Sequence, residues 1–392
     1  MESSVFATID SETIIAESLK IEPKKKQPAK TPRLIAIGGG KGGVGKTFFT
    51  AATGIILSSL KKKTVIVDGD FGGANLHNCM GIPNPPYSIQ DYLLRQNTDL
   101  NKLLLGTQFD NLKILAGPEG VPGAASYRYR QNYNFLNSLK TIDADYVILD
   151  LGAGTSYNEI DMFTRAEQGF IIATPETTSI QDSFYFLKLC LFRKLARRFR
   201  DDANLIDLLN ETISPSAYRE PYTVEKLLKA IKNYNGHAAE YLQNLLLTFK
   251  PKLVMNMVET QTDCEEGIAL QIAVQELLSL TLEYGGFVPY NENVRKAFRI
   301  MEPKLLTANG NGKNTNLSKI VLNSIITNIP HPPQPNYSQL PRQKKSKAYY
   351  PFDTFQNEVI CSVKCSLWGN CRAQNGGYPC RVKYIGYLNQ TE

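Results

Sequence analysis

The stretch AIGGGKGGVGKT, residues 36–47, decides how the rest of this chain is interpreted. Its second part, Gly40 to Thr47, fits the phosphate-loop pattern G-x-x-x-x-G-K-[ST]. A strand-like apolar segment precedes it and the helix-like segment TFFTAATGIILSSL follows it, which is the context that the pattern requires. The loop also carries a second lysine, Lys41, which phosphate binding alone does not need.

The loop residues predict a site for nucleotide phosphates. Glycines let consecutive backbone N–H groups turn toward the phosphates, and the start of the following helix adds partial positive charge. We expect Lys46 to reach the β- and γ-phosphates and the Thr47 hydroxyl to ligate Mg²⁺. The predicted nucleotide-binding residues of the loop are Gly40, Gly42, Gly43, Val44, Gly45, Lys46 and Thr47.

Two other predicted strands end in carboxylates. Asp150 ends the apolar run in YVILDLGAG, where it is placed to hold Mg²⁺ through water, and no glutamate follows directly to polarise the attacking water. Asp68 and Asp70 follow a strand in VIVDGDFGGANLH. Because ligands bind at the carboxyl ends of such strands, we expect Asp68 to support the metal or Lys46, and Asp70 to orient the water. The alternative is that both only cap the following turn.

The pattern of apolar segments predicts an α/β fold with a doubly wound, mostly parallel sheet. The runs are continuous rather than alternating, as in strands buried on both faces, and helix-length segments separate them. A long helical insertion is predicted at about 182–250, and a closing helix at 316–329. The predicted strands are 33–38, 63–68, 112–117, 145–150, 169–174 and 252–257.

The domain organisation expected from composition has four parts. Residues 1–32 are a polar, flexible leader, and residues 33–330 are the α/β domain. Residues 331–348 are a proline-rich, basic linker, and residues 349–392 are a cysteine-rich module. The start of the chain lacks a basic segment followed by an apolar block, and no apolar run approaches the roughly 20 residues of a membrane-spanning helix. We therefore expect a cytoplasmic protein.

Four segments together give the domain a family resemblance. KGGVGKT, VDGDFGGANLH, LDLGAGT and ATPETTSIQDS (173–183) resemble the motifs of the MinD/ParA family of deviant Walker-A ATPases, and most of all its FlhG/FleN branch. The resemblance covers about residues 33–330. It implies a P-loop ATPase that uses ATP and Mg²⁺ and forms an ATP-dependent homodimer. In that dimer Lys41 would reach the partner's phosphates, so the expected catalytic residues are Lys41, Lys46 and Asp70.

The same resemblance assigns roles beyond the phosphate loop. Asn256 in LVMNM matches the family's adenine-reading asparagine, whose amide can both donate and accept. The segment GGFVPYNENV (285–294), which includes Pro289, matches the loop that packs near the base. Asp182 either lies near the dimer interface or caps the helix SFYFLKLCLF.

The implied function is an ATP-driven switch that controls the placement or number of a cellular structure, such as flagella or another polar machine. Such a switch implies a protein partner or cargo, and peripheral association with the membrane or the cell pole. Two other functions compete with it. One is an ATP-dependent carrier of iron–sulfur or other metal clusters, and the other is a ParA-like ATPase that partitions DNA.

The segment LCLFRKLARRFR (189–200) bears on the choice of partner. Residues 193–200 contain five cations and no acidic residue, and the first acid after them is Asp201. Apolar residues recur between them at helical spacing. The pattern predicts either contact with anionic lipid, DNA or an acidic protein, or a core-packed helix with a solvated charged side.

The seven cysteines fall into two groups. Cys79, Cys190 and Cys264 are scattered, so we expect inert thiols. The other four share the spacing C-x3-C-x5-C-x8-C within the basic end of the chain, where residues 331–392 hold eight Lys and Arg against three Asp and Glu. Four thiolates can bind Zn²⁺ or an iron–sulfur cluster, and the alternative is free or redox-active thiols. These candidate metal ligands are Cys361, Cys365, Cys371 and Cys380.

Overall fold

The structure, a computed structural model, describes residues 31–94, 99–118, 129–213, 223–309, 312–313 and 315–327. Nearly all of the expected leader lies outside these residues. The expected linker at 331–348 and the cysteine-rich module at 349–392, with the four candidate metal ligands of the latter, also lie outside them.

A central sheet of eight strands organises the described residues. Its strands are β1 (Arg33–Gly38), β2 (Thr64–Gly69), β3 (Leu105–Gly106), β4 (Leu112–Leu115), β5 (Tyr146–Leu151), β6 (Gln168–Ala173), β7 (Lys252–Val258) and β8 (Glu283–Pro289). They lie in the order β3-β4-β2-β5-β1-β6-β7-β8, and all neighbours are parallel except β3 and β4. A two-stranded ladder of β9 (Ala308–Asn309) and β10 (Gly312–Lys313) stands apart. The predicted doubly wound, mostly parallel sheet is confirmed.

Helices cover both faces of this sheet. They are α1 (Lys46–Ser59), α2 (Leu76–Cys79), α3 (Ile89–Leu93), α4 (Tyr129–Leu139), α5 (Tyr157–Arg165), α6 (Thr177–Arg198), α7 (Ala203–Ile213), α8 (Val224–Tyr234), α9 (Gly236–Thr248), α10 (Gln261–Leu278), α11 (Glu292–Ile300) and α12 (Thr315–Val321). Short 3₁₀ turns occur at Leu100–Leu103 and Pro303–Thr307, and a π turn, Leu322–Ile326, follows α12.

Burial on both faces explains the continuous apolar runs in the sequence. Side chains alternate across a strand, so successive residues of β1 enter different cores. Leu34 and Ala36 join the cluster under α4 to α10, and Ile35 and Ile37 join the cluster under α1, α11 and α12. Because neither face meets water, polar residues are not needed at alternate positions.

The helical stretch between β6 and β7 consists of α6 to α9. Leu205, Leu227 and Leu242, one from each of α7, α8 and α9, are fully buried in the cluster that covers the sheet. These helices therefore extend the core of the α/β domain and do not build a second one.

Strands β3 and β8 were not among the six predicted strands. β8 has the sequence EYGGFVP, and two adjacent glycines weaken a strand signal because they bring no side chains to pack. Its Gly286 has φ +132°, and the pairing with β7 shifts register beside Val254. The predicted closing helix at 316–329 is observed as α12 and the π turn.

The structure argues against the surface-binding interpretation of the basic segment 193–200. Arg193 forms two hydrogen bonds with the Asp161 carboxylate at 2.9 and 3.0 Å, and Arg197 forms an ion pair with the same carboxylate at 2.9 Å. Lys194 donates to the Thr164 carbonyl at 2.9 Å. These three cations hold α6 against α5, so they are committed to packing and leave few charges for a membrane or DNA.

Among the described helices, none combines the length and the apolar character that a membrane span requires.

Candidate functional site

The phosphate loop connects β1 to α1 in a conformation that demands glycine. Gly45 has φ +94° and caps the start of α1, in a region of backbone space that residues with a Cβ rarely adopt. Gly40 is restricted by contact instead, because a Cβ there would lie 2.2 Å from the backbone oxygen of Asp182 on α6. The loop is therefore wedged between its own helix and α6.

Lys46 begins α1 and points back into the loop. It is 7% exposed, and its Nζ donates to the Lys41 carbonyl oxygen at 2.9 Å. Burial lowers the pKa of Lys46, and the negative charges of Asp150, Asp70 and Glu159 oppose that shift. The Lys46 ammonium therefore lies beneath the loop, close to several carboxylates, where it can contact phosphate oxygens.

Strand register brings two of the predicted carboxylates together. β2 and β5 are neighbours, and Asp68 pairs in register with Asp150. Both are buried, and burial raises the pKa of Asp150 to about 7 against the opposing hydrogen bonds of the Thr47 and Thr50 hydroxyls. Burial and then the charge of Asp150 raise the pKa of Asp68 to about 8.

These residues fit a divalent metal. The Thr47 hydroxyl and the Asp150 carboxylate lie within hydrogen-bonding distance of each other, and both are the hard oxygen donors that Mg²⁺ prefers. Two buried carboxylates side by side repel each other, and a cation would relieve that repulsion. Thr47 and Asp150 are thus placed to hold Mg²⁺, with Asp68 beneath them.

Asp68 and Asp70 also organise the loop that follows β2. Asp68 accepts hydrogen bonds from the backbone N–H of Asp70 at 3.2 Å and of Leu76 at 3.0 Å. Asp70 accepts from Gly72 at 3.1 Å and from Gly73 at 2.9 Å. Both residues therefore cap the following turn, and Asp70 also lines the cavity with its carboxylate held in place.

A cavity of about 550 Å³ opens beside the loop. Gly42, Gly43, Gly45, Lys46 and Thr47 form one side of it, together with Asp70. The ends of β7 and β8 and the first turns of α11 form the other side with Asn256, Met257, Pro289, Tyr290, Val294, Arg295 and Phe298. A phosphate-binding side together with a mixed wall that includes the apolar residues Met257, Pro289, Val294 and Phe298 suits a nucleotide, whose base is flat and largely apolar on its faces.

Asn256 has a structural contact in addition to its predicted role. Its Nδ2 donates to the Val44 carbonyl oxygen at 2.8 Å, and its side chain is 4% exposed. A Cβ on Gly45 would collide with the same Nδ2 at 2.2 Å. Asn256 therefore ties the end of β7 to the phosphate loop while it lines the cavity, and the side chain of Val44 itself belongs to the core.

Lys41 lies on the outer side of the loop, where its Nζ donates to the Thr178 hydroxyl at 2.6 Å. Thr178 is in the first turn of α6, which begins at Thr177. Asp182 lies further along the same helix, so the expectation that it caps this helix is wrong. Lys41, Thr178 and Asp182 are thus gathered next to the loop.

Sequence reasoning missed several residues around the cavity. Arg295 and Phe298 project from α11, which follows the predicted base loop directly, so continuing the helix one turn would have found them. Glu159 lies near Asp70, and its negative charge raises the pKa of Lys46. It is nine residues after Asp150 and outside the strand-end motif, so the motif did not identify it. The available signal in the sequence was the position of Glu159 in the first turn of the helix that follows β5.

The three described cysteines are buried and free, as expected for inert thiols. Burial raises the pKa of Cys264 to about 12 and those of Cys79 and Cys190 further, so none is a thiolate at neutral pH. Within the described residues, no group of three or more His, Cys, Asp or Glu side chains forms a metal site of protein ligands alone.

Comparisons with known proteins show what this part of the chain is similar to. A family model described as "ParA: NUBPL iron-transfer P-loop NTPase" matches residues 30–195. The putative septum site-determining protein MinD of Oltmannsiellopsis viridis is 35% identical over 39% of this chain and 48% of its own length. The antiactivator FleN of Pseudomonas aeruginosa is 24% identical over 68% of this chain and 76% of its own length. The chain spans about half the length of the MinD relatives it matches.

The fold agrees with these sequence matches. The structure of the septum site-determining protein MinD of Pyrococcus horikoshii, complexed with Mg-ADP, aligns with a TM-score of 0.51 over 76% of this chain and 97% of its own. The identity is 19%, so this likeness is one of fold. The phosphate loop, the paired strand-end carboxylates and these matches make the chain similar to P-loop NTPases of the MinD/ParA family, with similarity to both MinD and FleN proteins.

Proposed function

We propose that this chain binds ATP with Mg²⁺, hydrolyses it, and dimerises with a second copy when ATP is bound. The observation that carries the proposal is the difference in position between the two loop lysines. Lys46 is buried beneath the loop among carboxylates, whereas Lys41 lies on the outer side and contacts α6. Lys46 would bind phosphates within the chain, and Lys41 would reach a second chain.

ATP fits the cavity at both of its ends. The loop N–H groups, the start of α1 and Lys46 would bind the triphosphate. Asn256 retains a second N–H and its carbonyl oxygen beside the bond to Val44, and an amide of this kind can pair with adenine. Pro289 and the neighbouring apolar residues would pack on the base. Mg-ADP in the Pyrococcus relative supports the same choice of ligand.

Hydrolysis would rely on the carboxylates at the strand ends. Thr47 and Asp150, with Asp68 behind them, would hold Mg²⁺, which would neutralise charge on the β- and γ-phosphate oxygens. Asp70 would orient a water toward the γ-phosphorus. The water oxygen forms the new P–O bond, the bond to the β–γ bridging oxygen breaks with its electron pair left on ADP, and the water proton passes to phosphate or solvent.

Dimerisation would follow from the charge of the γ-phosphate. A triphosphate that receives one cation from each of two chains stabilises the dimer only while the γ-phosphate is present. Hydrolysis removes that shared charge and loosens the dimer, which makes the protein a switch. Thr178, which accepts the Lys41 hydrogen bond in the single chain, would release the lysine when the partner's phosphate replaces it.

The cellular role that best suits such a switch is control of the placement or number of a cellular structure, with a protein partner or cargo that prefers one state. The likeness to FleN, an antiactivator, and to MinD, a septum site-determining protein, supports this class of role. Cytoplasmic location with peripheral attachment to the membrane or cell pole belongs to the same proposal. The ion pairs of the α6 cations favour this role over DNA partitioning.

The dimerisation proposal is tested by the variant Lys41→Ala. Wild-type protein is expected to double its mass in light scattering when ATP and Mg²⁺ saturate it, whereas Lys41→Ala stays monomeric. Loss of a charge-assisted bond at each of two sites predicts at least about a hundredfold weaker dimer. Lys113→Ala, at an exposed position on β4, is the matched control and is expected to dimerise normally. A Lys41→Ala protein that still dimerises contradicts the role of this lysine between chains.

Asp70 is tested by two variants that separate its charge from its hydrogen bonds. Asp70→Asn keeps an oxygen that accepts from Gly72 and Gly73, and Asp70→Ala removes it. We expect both to lower ATP turnover by about 10²-fold and to preserve the ATP-bound dimer. Phosphate release and light scattering measure the two effects, with Asp110→Asn as the exposed control. Wild-type turnover by Asp70→Asn would remove the Asp70 charge from the mechanism.

A further inference from the structure

Glu159 is the acidic residue near the phosphate loop to which neither the motifs nor the proposed function assign a role. It lies in the first turn of α5, just after the loop that follows β5. Ser156 caps this helix by accepting a hydrogen bond from Asn158, and its hydroxyl donates to the Glu159 carboxylate. The cap orients the first turn of α5, so the position of the Glu159 side chain is built into the fold.

Glu159 and Asp70 converge on the same point of the backbone. A Cβ on Gly152 would lie 3.0 Å from Asp70 Oδ1 and 3.2 Å from Glu159 Oε1. Gly152 therefore cannot carry a side chain without displacing both carboxylates. The next residue, Ala153, lines the cavity, and the charge of Glu159 also acts on Lys46. Glu159 thus belongs to the same site as Asp70 and Lys46.

We propose that Glu159 is the second carboxylate of the hydrolytic site and holds, together with Asp70, the water that attacks the γ-phosphate. This inference rests on the proposed ATPase function and adds a residue to it. The chemistry is unchanged: the water oxygen bonds to the γ-phosphorus as the bond to the β–γ bridging oxygen breaks. The two O–H groups of the water point toward the two carboxylates, and the proton is lost to phosphate or solvent.

The hydrogen bonds already made by Asp70 explain why a second acceptor is needed. Asp70 Oδ1 accepts from two backbone N–H groups, Gly72 and Gly73, so part of its capacity is used by the turn. A water molecule has two O–H donors, and its attack requires that its oxygen faces phosphorus. Glu159 is partly exposed, and the described hydrogen bond to its carboxylate comes from Ser156, so it can take the second O–H.

The test compares Glu159→Gln, Glu159→Asp and Asp70→Asn with wild type. Single-turnover phosphate release at saturating ATP and Mg²⁺ gives the chemical rate, and calorimetric titration with ATPγS gives the affinity. We expect Glu159→Gln to slow the chemical rate about 10- to 100-fold and to change the affinity less than about threefold. Glu159→Asp keeps the charge and is expected to recover part of the rate. Glu240→Gln, at an exposed position on α9, is the matched control.

Loss of the helix cap is controlled by Ser156→Ala, which removes the capping hydroxyl and keeps the carboxylate. Both Ser156→Ala and Glu159→Gln are expected to lower the melting temperature, and Ser156→Ala, which removes only the hydroxyl that orients the carboxylate, is expected to slow hydrolysis much less than Glu159→Gln. Equal rate losses in the two variants overturn the inference in favour of capping. If Glu159→Gln hydrolyses ATP at the wild-type rate while Asp70→Asn is slow, the inference about Glu159 is overturned and the proposed function is unaffected. Wild-type protein that releases no phosphate from ATP would defeat the proposed function itself.

Discussion

Replacing Lys46 with alanine is expected to weaken the binding of ATP by about 10²- to 10⁴-fold, because each of two phosphates loses a charge-assisted bond of about 1.5–3 kcal/mol. The lysine is buried and donates to the Lys41 carbonyl, so its ammonium is already positioned before ligand arrives. Little conformational entropy is then lost on binding, which keeps the full value of the interaction. Calorimetric titration with ATPγS and Mg²⁺ measures the loss.

Two controls make the Lys46 result interpretable. Lys102→Ala removes an exposed cation elsewhere and is expected to bind as wild type does. Lys46→Arg keeps the charge but places a bulkier, planar group at a buried position, so it is expected to restore little of the affinity. Binding by Lys46→Ala within about threefold of wild type would show that loop N–H groups alone hold the nucleotide.

The carboxylate pair shows what the sequence can predict about this site. Asp68 and Asp150 each end an apolar strand, and parallel strands end at the same edge of a sheet. That rule predicts their proximity, and the pairing of β2 with β5 brings them into direct register. Lys46 and Thr47 were predictable for a similar reason, because the loop and the first turn of α1 form one local unit whose geometry depends on nearby glycines.

Contacts between distant segments were not predictable in the same way. Glu159 and Asp70 both lie beside Gly152, in a loop whose path no strand rule determines, and Lys41 bonds to Thr178 across 137 residues. The cations of α6 looked free in the sequence because Asp161, which pairs with Arg193, lies 32 residues away on another helix. Local patterns identify chemical groups, whereas tertiary packing decides which of those groups remain available.

Raising the pH from about 5 to about 8 is expected to destabilise the nucleotide-free protein through Asp68 and Asp150. Burial raises the pKa of both carboxyls, to about 8 and about 7, whereas in the unfolded chain they titrate near 3.9. Between these values the folded state binds more protons than the unfolded state, so the free energy of unfolding falls as the pH rises. The charges facing Asp150 are Lys46, which lowers its pKa, and Asp70, which raises it.

Asp150→Asn isolates this effect and separates stability from function. At pH 5 the folded wild type holds a neutral carboxyl that resembles the amide, so the difference in melting temperature between the two proteins is expected to be smaller than at pH 8. At pH 8 the variant avoids a buried charge and is expected to melt about 5 °C higher, while its Mg²⁺-dependent ATP turnover falls by about 10³-fold. Asp143→Asn, which alters an exposed pair with Lys63, is expected to show no such pH-dependent difference.

A difference in melting temperature between Asp150→Asn and wild type that is the same at both pH values would mean that Asp150 is charged throughout. Raised stability without lost turnover would mean that the Asp150 carboxylate is not needed for hydrolysis. The expected combination, greater stability with lost turnover, would show that the buried Asp150 carboxylate is unfavourable for the fold and is kept for Mg²⁺-dependent hydrolysis.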